Sequence, residues 1–474
     1  MTDQSWAADA RGLYPVARAG YEAVLGRDPR HPFALSRLLT FDGMDGRFAD
    51  AERRHRALVE ALSAADLDAV HWPYLATIAF QHQLRPLPHP LYKAVTRALD
   101  RRLAAQPLTA ARQAMAGRRL KVGYLSGLFR DHPVGHVTAA LFAAHDRARV
   151  EVHVFHRASP PNPYTETIRK GVEHFVTLPV APRAMAEAIA ARDLDVLIYV
   201  DGYTEVDMLQ AVALRPAPVQ AFWLGHPGGC DISAIDYVIA DATVVPPGEE
   251  GLYDARVVRL PGPYHCASPQ RIGVPMSRAA AGLPEDGFVF CAFNNPEKIG
   301  RAVFDCWMNI LKRVPDGVLW LSQGPGAAAE NFRRAAVERG VEGDRLRFAG
   351  RVPDKASHLA RHMSCDLFLD TFTFNAHSTA LDALWAELPV LTVEGARFAS
   401  RFGAMAARGL GLEALICKSP TEYQDRAVHL ATHPDALDGL RGHLAGKRET
   451  ERLFNVEAFC RGFEDALERM ARGG

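Results

Sequence analysis

Cysteine is scarce in this chain of 474 residues, and its few cysteines are not spaced as metal-binding or redox pairs are. The seven cysteines are scattered and odd in number, and no C-x-x-C motif occurs. This pattern argues against a zinc-binding module and against a disulfide-bonded secreted fold. Free thiols fit a reducing compartment, so we expect a cytoplasmic protein.

An excess of charge of one sign and long apolar runs are also missing. Lys and Arg together equal Asp and Glu together, at 55 each, which argues against nucleic-acid and membrane-surface partners. No apolar run approaches the roughly 20 residues of a membrane span. The start MTDQSWAADARG lacks the basic and apolar segments of an export signal. We expect no membrane span.

The common nucleotide-binding fingerprints are absent. Neither G-x-G-x-x-G nor G-x-x-x-x-G-K-[ST] occurs, which argues against dinucleotide oxidoreductases and P-loop enzymes. His, Cys, Asp and Glu form no cluster with metal-ligand spacing, and the pair Asp193 and Asp195 is weak evidence for a metal. The sequence therefore predicts no metal site.

Residues 1–115 are predicted to be helical, with tetratricopeptide-like repeats and linker helices. In VARAGYEAVLGRDPR, Ala17, Tyr21 and Val24 have the spacing of the second helix of such a repeat. Ala51 and Leu58 lie 34 residues beyond Ala17 and Val24, which is the period of this repeat. We expect this region to dock a protein partner, and we expect deletion of residues 1–70 to leave the rest of the chain folded.

From Leu120 onward, short apolar runs alternate with helical stretches, which predicts an α/β fold with parallel sheets. The first series is LKVGYLS, VEVHVFH, LDVLIYVDG, VQAFWLG and DYVIAD, and the second is GFVFCAFN, GVLWLSQG, RLRFAG, DLFLD and PVLTVEG. A break rich in Gly and Pro near residues 262–282 separates the two series. We predict two Rossmann-like lobes, residues 116–275 and 276–474, with a cleft between them.

Polar clusters follow the predicted strands in both lobes. In the first lobe they are SGLFRDHPVGH, with His132 and His136, then DGYT and LGHPGG. In the second lobe they are NNPEKI, with Lys298, and TFTFNAHSTALD. Ligands of such sheets bind at the carboxyl ends of the strands. The clusters therefore predict one shared site, although each of these residues taken alone is more often structural.

The segment FNAHSTALDALW is predicted to begin a helix that carries polar residues on its first turn. Unpaired N–H groups and the helix dipole make such a start a phosphate site. The alternative is a plain cap, in which Asn375 or Ser378 bonds the first N–H groups and Asp382 complements the dipole. These residues alone leave both interpretations open.

Long motifs in the chain resemble the O-linked N-acetylglucosamine transferase family, which includes bacterial protein glucosyltransferases. They are HPVGH, DGYT, ALRPAPVQAFWLGHPGG, FNNPEKI, WMNILKRVPDGVLWL and FNAHSTALDALWAELPVLT. The resemblance covers roughly residues 85–474. It implies a GT-B fold and a metal-independent, inverting glycosyltransferase. Such an enzyme uses a UDP-sugar as donor substrate, needs no further cofactor, and modifies a protein or peptide acceptor.

The resemblance also implies the residues that bind the donor. Its matches are Lys298, His377, Ser378 and Thr379 for the diphosphate, Asp382 and Lys355 for the ribose, and His358 and Arg361 for the uracil. Asn295 stands beside the lysine, where the family has glutamine, and is expected to contact the donor.

Fewer matches are implied on the sugar side. His132 matches an active-site histidine and is the second catalytic candidate beside Lys298. His89 matches a histidine in the helix that leads into the first lobe. Leu224, Gly225 and Pro227 match the segment around the sugar.

Asn295 and four further departures leave the donor sugar and the acceptor atom open. Leu128 replaces an aspartate, Val134 a hydroxyl residue, Glu297 a tyrosine and Met208 an arginine. N-acetylglucosamine or another hexose is expected to reach Ser or Thr of a protein. The alternatives are transfer to asparagine, a non-catalytic interaction protein of the same fold, and an enzyme acting on a small molecule.

Overall fold

A computed structural model describes residues 2–108 and 117–473. Six helices come first: α1 (Thr2–Ala10), α2 (Tyr14–Arg27), α3 (Pro32–Met44), α4 (Phe48–Ala64), α5 (Trp72–Gln81) and α6 (His89–Leu103). The residues with the repeat spacing are all buried, namely Ala17, Tyr21, Val24, Ala51 and Leu58. Residues 109–115, the end of the predicted helical region, lie outside the described part.

The first lobe is built on a parallel sheet of seven strands. In chain order its elements are β1 (Leu120–Ser126), α7 (Pro133–Thr138), β2 (Val150–Arg157), α8 (Pro163–Lys170), β3 (His174–Leu178), α9 (Pro182–Ala190), β4 (Val196–Tyr199), α10 (Val206–Ala213), β5 (Gln220–Phe222), β6 (Tyr237–Ala240) and β7 (Arg256–Arg259). The strand order is β3-β2-β1-β4-β5-β6-β7. Its central strands are buried on both faces, as expected for a parallel sheet covered by helices.

The second lobe holds a parallel sheet of six strands. Its elements are β8 (Val289–Ala292), α11 (Arg301–Arg313), β9 (Val318–Ser322), α12 (Ala328–Val337), β10 (Leu346–Ala349), α13 (Lys355–His362), β11 (Leu367–Leu369), α14 (His377–Trp385), β12 (Val390–Val393), α15 (Phe402–Gly409), β13 (Ile416–Cys417), α16 (Pro420–Thr432), α17 (Pro434–Lys447) and α18 (Val456–Arg472). The strand order is β10-β9-β8-β11-β12-β13. The predicted α/β fold with two Rossmann-like lobes is confirmed.

Both sheets reverse their strand order beside their first strand, and the polar clusters follow these strands. The reversal lies between β1 and β4 in the first lobe and between β8 and β11 in the second. His132 comes after β1, Lys298 after β8, and the start of α14 after β11. Crevices at such reversals are where ligands of open α/β sheets bind.

The helical region is not a separate unit. Phe48, at the start of α4, belongs to the hydrophobic core of the lobes. Its ring centre lies 5.1 Å from that of Phe304 and 5.9 Å from that of Phe332. The amide of Asn331 also donates to the backbone oxygen of Asp45, at 2.9 Å. Removal of α4 would expose part of this core, so these contacts argue against a separable region, and the effect of the deletion stays a prediction.

The last helix returns to the first lobe. Glu464 of α18 accepts hydrogen bonds from the His145 ring and the Asp146 backbone, both at 2.9 Å. Arg149 of the first lobe pairs with Asp465 and Glu468. The predicted domain 276–474 thus ends in a helix that packs on the other lobe. No described helix has the length and apolar character needed to cross a membrane.

Candidate active site

A buried carboxylate shapes the loop that leads into α14. Asp370 follows β11, and it accepts hydrogen bonds from the Ala376 backbone and the Thr392 hydroxyl, both at 2.7 Å. A Cβ atom on Gly403 would lie 2.6 Å from this carboxylate, so glycine is needed there. Asn375 accepts from the Gly403 backbone at 3.1 Å. These bonds fix where α14 begins.

The start of α14 has no side-chain cap. Ala376 occupies the N-cap position, and no side chain of the described residues accepts from the first turn. Asn375 is engaged with the loop instead, and Asp382 pairs with a lysine described below. Among the described residues, therefore, neither Asn375 nor Ser378 caps the helix. Ser378 and Thr379 border the cleft between the lobes, so the free N–H groups of this turn are available to an anion.

Lys298 brings a positive charge to the same place. It lies in a short helical turn, Pro296–Lys298, after β8. Its Nζ donates to the backbone oxygen of Asn375 at 2.9 Å and lies 3.9 Å from the centre of the Phe374 ring. Burial lowers the pKa of the Lys298 ammonium to about 8, although Asp370 and Glu297 act in the opposite direction.

His377, the first residue of α14, is packed rather than free. Its Nδ1 lies 2.9 Å from the backbone oxygen of Asn375, and its ring centre lies 4.2 Å from that of Phe402. Burial and the neighbouring Lys298 hold the pKa of His377 well below its usual value. A neutral imidazole is therefore expected here.

Asp382 and Lys355 form a charged pair on the cleft wall. Lys355 Nζ lies 2.5 Å from Asp382 Oδ2, and His358 Nε2 lies 3.5 Å from the same oxygen. Burial alone would raise the pKa of the Asp382 carboxyl, but Lys355 and His358 hold it well below its usual range. An ionised carboxylate at this position is a strong acceptor for hydroxyl groups such as those of ribose.

Arg361 lies one helical turn beyond His358 and borders the cleft together with Lys355, His358 and Asp382. Its guanidinium donates to the backbone oxygen of Gly350 at 3.0 Å and lies 5.6 Å from the Phe293 ring centre. Burial lowers the pKa of Arg361, although arginine remains protonated. A planar cation held beside His358 offers a flat surface for a nucleobase.

A cleft of about 800 Å³ joins these groups to the first lobe and to the helical region. The predicted residues that border it are His136, Asn295, Lys355, His358, Arg361, Ser378, Thr379 and Asp382. Tyr14 and Met44 of the helical region border it too. The strand-end segments 322–325 and 349–354, which sequence reasoning missed, complete its wall.

The first lobe contributes two histidines near the cleft. His132 is half-buried and precedes α7, where its Nδ1 accepts from the Val134 backbone at 3.2 Å. Burial and the nearby Arg130 lower the pKa of His132 to about 4. His136 Nε2 lies 2.7 Å from an Asp131 carboxylate oxygen, and burial lowers the pKa of His136 too. Both imidazoles are therefore neutral near pH 7. Because Nδ1 of His132 accepts from the Val134 backbone, Nε2 of that ring carries the hydrogen, and His132 can take up a second proton only when Nδ1 releases the Val134 N–H.

The other seven predicted residues do not border this cleft. Lys298 and His377 contact the loop before α14, and His132 lies between two residues that border the cleft, Asp131 and Pro133. Leu224, Gly225 and Pro227 lie against the first lobe, where a Cβ atom on Gly225 would approach the Val200 oxygen to 2.5 Å. His89 borders a separate cavity of about 270 Å³. The donor contacts of Leu224, Gly225 and Pro227 and the site role of His89 stay predictions.

Of the five departures, Asn295 is exposed and borders the cleft, and the other four are buried. Leu128, Val134 and Met208 pack in hydrophobic surroundings. Glu297 is also buried and faces the helical region, where Thr40 and Arg85 interact with its carboxylate. No departure places a charge in the cleft.

Gln270, in the segment between the lobes, is a further residue that sequence reasoning missed. Its side-chain amide donates to the backbone oxygen of His136 at 3.1 Å, and its own backbone oxygen accepts from the Trp385 indole at 2.7 Å. It thereby joins α7 of one lobe to α14 of the other. The sequence carries no signal for this role, because PQRIGVP reads as an ordinary linker.

Two groups of described residues have the geometry of metal ligands, and neither borders the cleft. They are His145 with Cys460 and Glu464, and Glu151 with His153 and His174. In the first group the His145 ring already pairs with Tyr124 and Glu464. The absence of a catalytic metal stays a prediction.

The chain is similar to several known proteins. The sequence model of the family described as Glycosyl transferase family 41 matches residues 48–267 and 265–463 of this chain. The Arabidopsis thaliana protein named probable UDP-N-acetylglucosamine–peptide N-acetylglucosaminyltransferase SEC is 33% identical over 74% of this chain and 37% of its own length. The Caenorhabditis elegans UDP-N-acetylglucosamine–peptide N-acetylglucosaminyltransferase is 27% identical over 75% of this chain and 41% of its own. The chain thus spans about two fifths of the length of these relatives.

A solved structure resembles the whole chain. It is a lysine-to-methionine mutant of the Thermobaculum terrenum O-GlcNAc transferase, 26% identical, with a TM-score of 0.79. The match covers 100% of this chain and 96% of that one, including the helical region. With the family match over both lobes, these findings show that the chain belongs to glycosyl transferase family 41.

Proposed function

We propose that this protein is an inverting glycosyltransferase that moves a sugar from a UDP-sugar to Ser or Thr of a protein acceptor. The observation that carries the proposal is the uncapped start of α14, which faces the cleft with Lys298 beside it. A helix start with a lysine suits a diphosphate, and the Asp382 and Arg361 wall suits a uridine. The names of the similar proteins support the same substrates.

In the proposed reaction the acceptor oxygen attacks the anomeric carbon from the face opposite UDP. The bond to the diphosphate breaks, and the leaving group gains negative charge. Lys298 and the N–H groups of Ser378 and Thr379 stabilise that charge, and one such donor contributes about 3–4 kcal/mol in comparable sites. No cofactor besides the donor is needed.

The proton of the acceptor hydroxyl requires a base. His132 is neutral near pH 7, since burial lowers its pKa to about 4, and it lies in the lobe opposite Lys298. Leu128 offers no carboxylate. We therefore assign the role of general base or acceptor-orienting group to His132.

Intact-mass analysis tests the proposal. The full chain is co-expressed with candidate acceptor proteins and assayed with UDP-N-acetylglucosamine and UDP-glucose, with and without excess chelator. We expect one sugar to be added in both conditions, and fragmentation of the product identifies Ser, Thr or Asn as the acceptor. A mass shift that persists with Lys298→Ala would contradict the mechanism. UDP binding without transfer to any acceptor would favour the non-catalytic alternative.

A further inference from the structure

A buried chain of hydrogen bonds runs through the helical region. Ser36 of α3 donates to the side-chain oxygen of Gln81 at the end of α5. The Gln81 amide donates to the Thr40 hydroxyl at 2.5 Å and to the Ser36 backbone oxygen at 3.2 Å. All three side chains are more than nine-tenths buried. Buried polar groups joined in this way rigidify their surroundings.

The chain of bonds reaches the contact between α3 and the second lobe. Thr40 and Glu297 border one cavity of about 400 Å³, together with Gln81. Burial raises the pKa of the Glu297 carboxyl, and Arg85 and the Thr40 hydroxyl act in the opposite direction. Glu297 is itself buried, with Arg85 and Arg37 near its carboxylate. It directly precedes Lys298 in the turn Pro296–Lys298. The network therefore stops one residue from the lysine at the α14 start.

Close packing holds the turn against α3. A Cβ atom on Gly43 would lie 3.4 Å from Glu297 Cγ and 3.7 Å from Glu297 Cα. A Cβ atom on Gly324, in the cleft wall, would lie 3.3 Å from the Met44 backbone oxygen. The turn that carries Lys298 thus lies directly on the helix that carries Thr40.

We infer that Thr40 and Glu297 are positioning residues, through which the helical region sets the place of Lys298 in the donor site. The inference rests on the proposed function, because it assigns Lys298 to the diphosphate. It makes α3 and α5 part of donor binding, in addition to any role in docking an acceptor. Thr40 and Gln81 act through the turn, and neither borders the cleft.

Calorimetric titration of UDP into variants of the full chain tests the inference. Thr40→Val keeps the size of the side chain and removes the hydroxyl, so we expect UDP affinity to fall about tenfold. Thr40→Ala also lacks the hydroxyl without adding bulk, and it should weaken UDP equally. Thr40→Ser should restore the affinity. The matched control is Thr96→Val, because Thr96 is buried in α6 and bonds only the backbone of its own helix, at Lys93.

A double variant identifies the route. If Thr40 acts through Lys298, Thr40→Val should cost little further affinity when Lys298→Ala is already present. Unchanged UDP affinity in Thr40→Val and Thr40→Ala, with only a lower melting temperature as in Thr96→Val, would overturn the inference and leave the network structural. Failure of the wild type to bind UDP would instead overturn the proposed function, and the inference with it.

Discussion

Lys298 is the residue on which the donor site depends most. Saturating UDP should stabilise the wild type, since a ligand at 100 times its dissociation constant adds about 2.7 kcal/mol. Lys298→Ala should reduce the UDP-induced rise in melting temperature and nearly abolish transfer, because the lysine contacts charge that grows in the transition state. Lys312→Ala, on an exposed position of α11, is the control. Equal affinity of Lys298→Ala and wild type would contradict the diphosphate assignment.

The lowered pKa of Lys298 predicts how UDP affinity changes with pH. Below its pKa of about 8 the ammonium is charged and attracts the diphosphate; above it the amine is neutral. UDP affinity should therefore decline above about pH 8, by up to about tenfold per pH unit for one proton. Lys298→Arg stays protonated and should remove this decline. A decline that persists in Lys298→Arg would assign the titration to another group.

Asp382 should act on the nucleoside rather than on the phosphates. Its carboxylate holds Lys355 at 2.5 Å and is kept ionised by that contact. Asp382→Asn keeps the shape and removes the charge, so UDP and UMP should lose affinity by a similar factor, about tenfold for one charge-assisted hydrogen bond. Titration of both ligands measures this. A loss confined to UDP would place Asp382 at the diphosphate instead.

At the scale of elements, the sequence identified the central strands and missed those that depend on the sheet around them. Runs such as LKVGYLS are apolar and long enough to be recognised alone. β3 lies at a sheet edge and is partly exposed, β7 has arginines at both ends, and β13 has two residues. Whether these three segments form strands depends on pairing with a neighbouring strand. Such pairing is not a local property of the sequence.

The candidate site likewise has a part that local sequence patterns predicted and a part that they did not. The polar clusters after β8 and β11 predicted the donor wall, by which we mean the side of the cleft formed by the second lobe. They did so because the strand ends of one sheet meet at one edge. The positions of His89 and of Leu224 depend on how three regions pack together, which local patterns do not contain. The role of Gln270 and the contact of Glu297 with the helical region were not predicted for the same reason, since each residue lies between regions.

Helix α4 should be essential for the stability of the lobes. Phe48 is 9% exposed and packs on Phe304 and Phe332, so Phe48→Ala should lower the free energy of unfolding by about 3–5 kcal/mol. Deletion of residues 1–70 removes Phe48 and should give an unstable or aggregated protein. Val16→Ala, at a position 61% exposed, serves as control in chemical denaturation. A stable truncated protein with unchanged UDP affinity would show that the helical region is separable after all.

At the scale of the whole molecule, contacts between distant parts of the chain set how the lobes face each other. Arg401 of the second lobe bonds both carboxylate oxygens of Glu249 in the first, at 2.6 and 2.8 Å. Helix α18 ties the end of the chain to the first lobe through Glu464. Gln270 joins α7 to α14. The donor wall and the histidines of the first lobe are thereby held on opposite sides of one cleft.

This division between the lobes predicts that binding and transfer separate in variants of His132. The histidine accepts from the Val134 backbone at the start of α7, so alanine would also remove a helix cap. His132→Asn is the sharper variant, because its amide oxygen can keep that bond while it cannot accept a proton as imidazole does.

We expect His132→Asn to bind UDP within about twofold of the wild type, because the donor wall lies in the other lobe. Transfer should slow by about 10²–10⁴-fold, the usual contribution of a general base. Titration of UDP and intact-mass kinetics on the same preparation measure both quantities. A variant that transferred at the wild-type rate would remove His132 from the mechanism, whereas one that lost UDP binding would place it in the donor site.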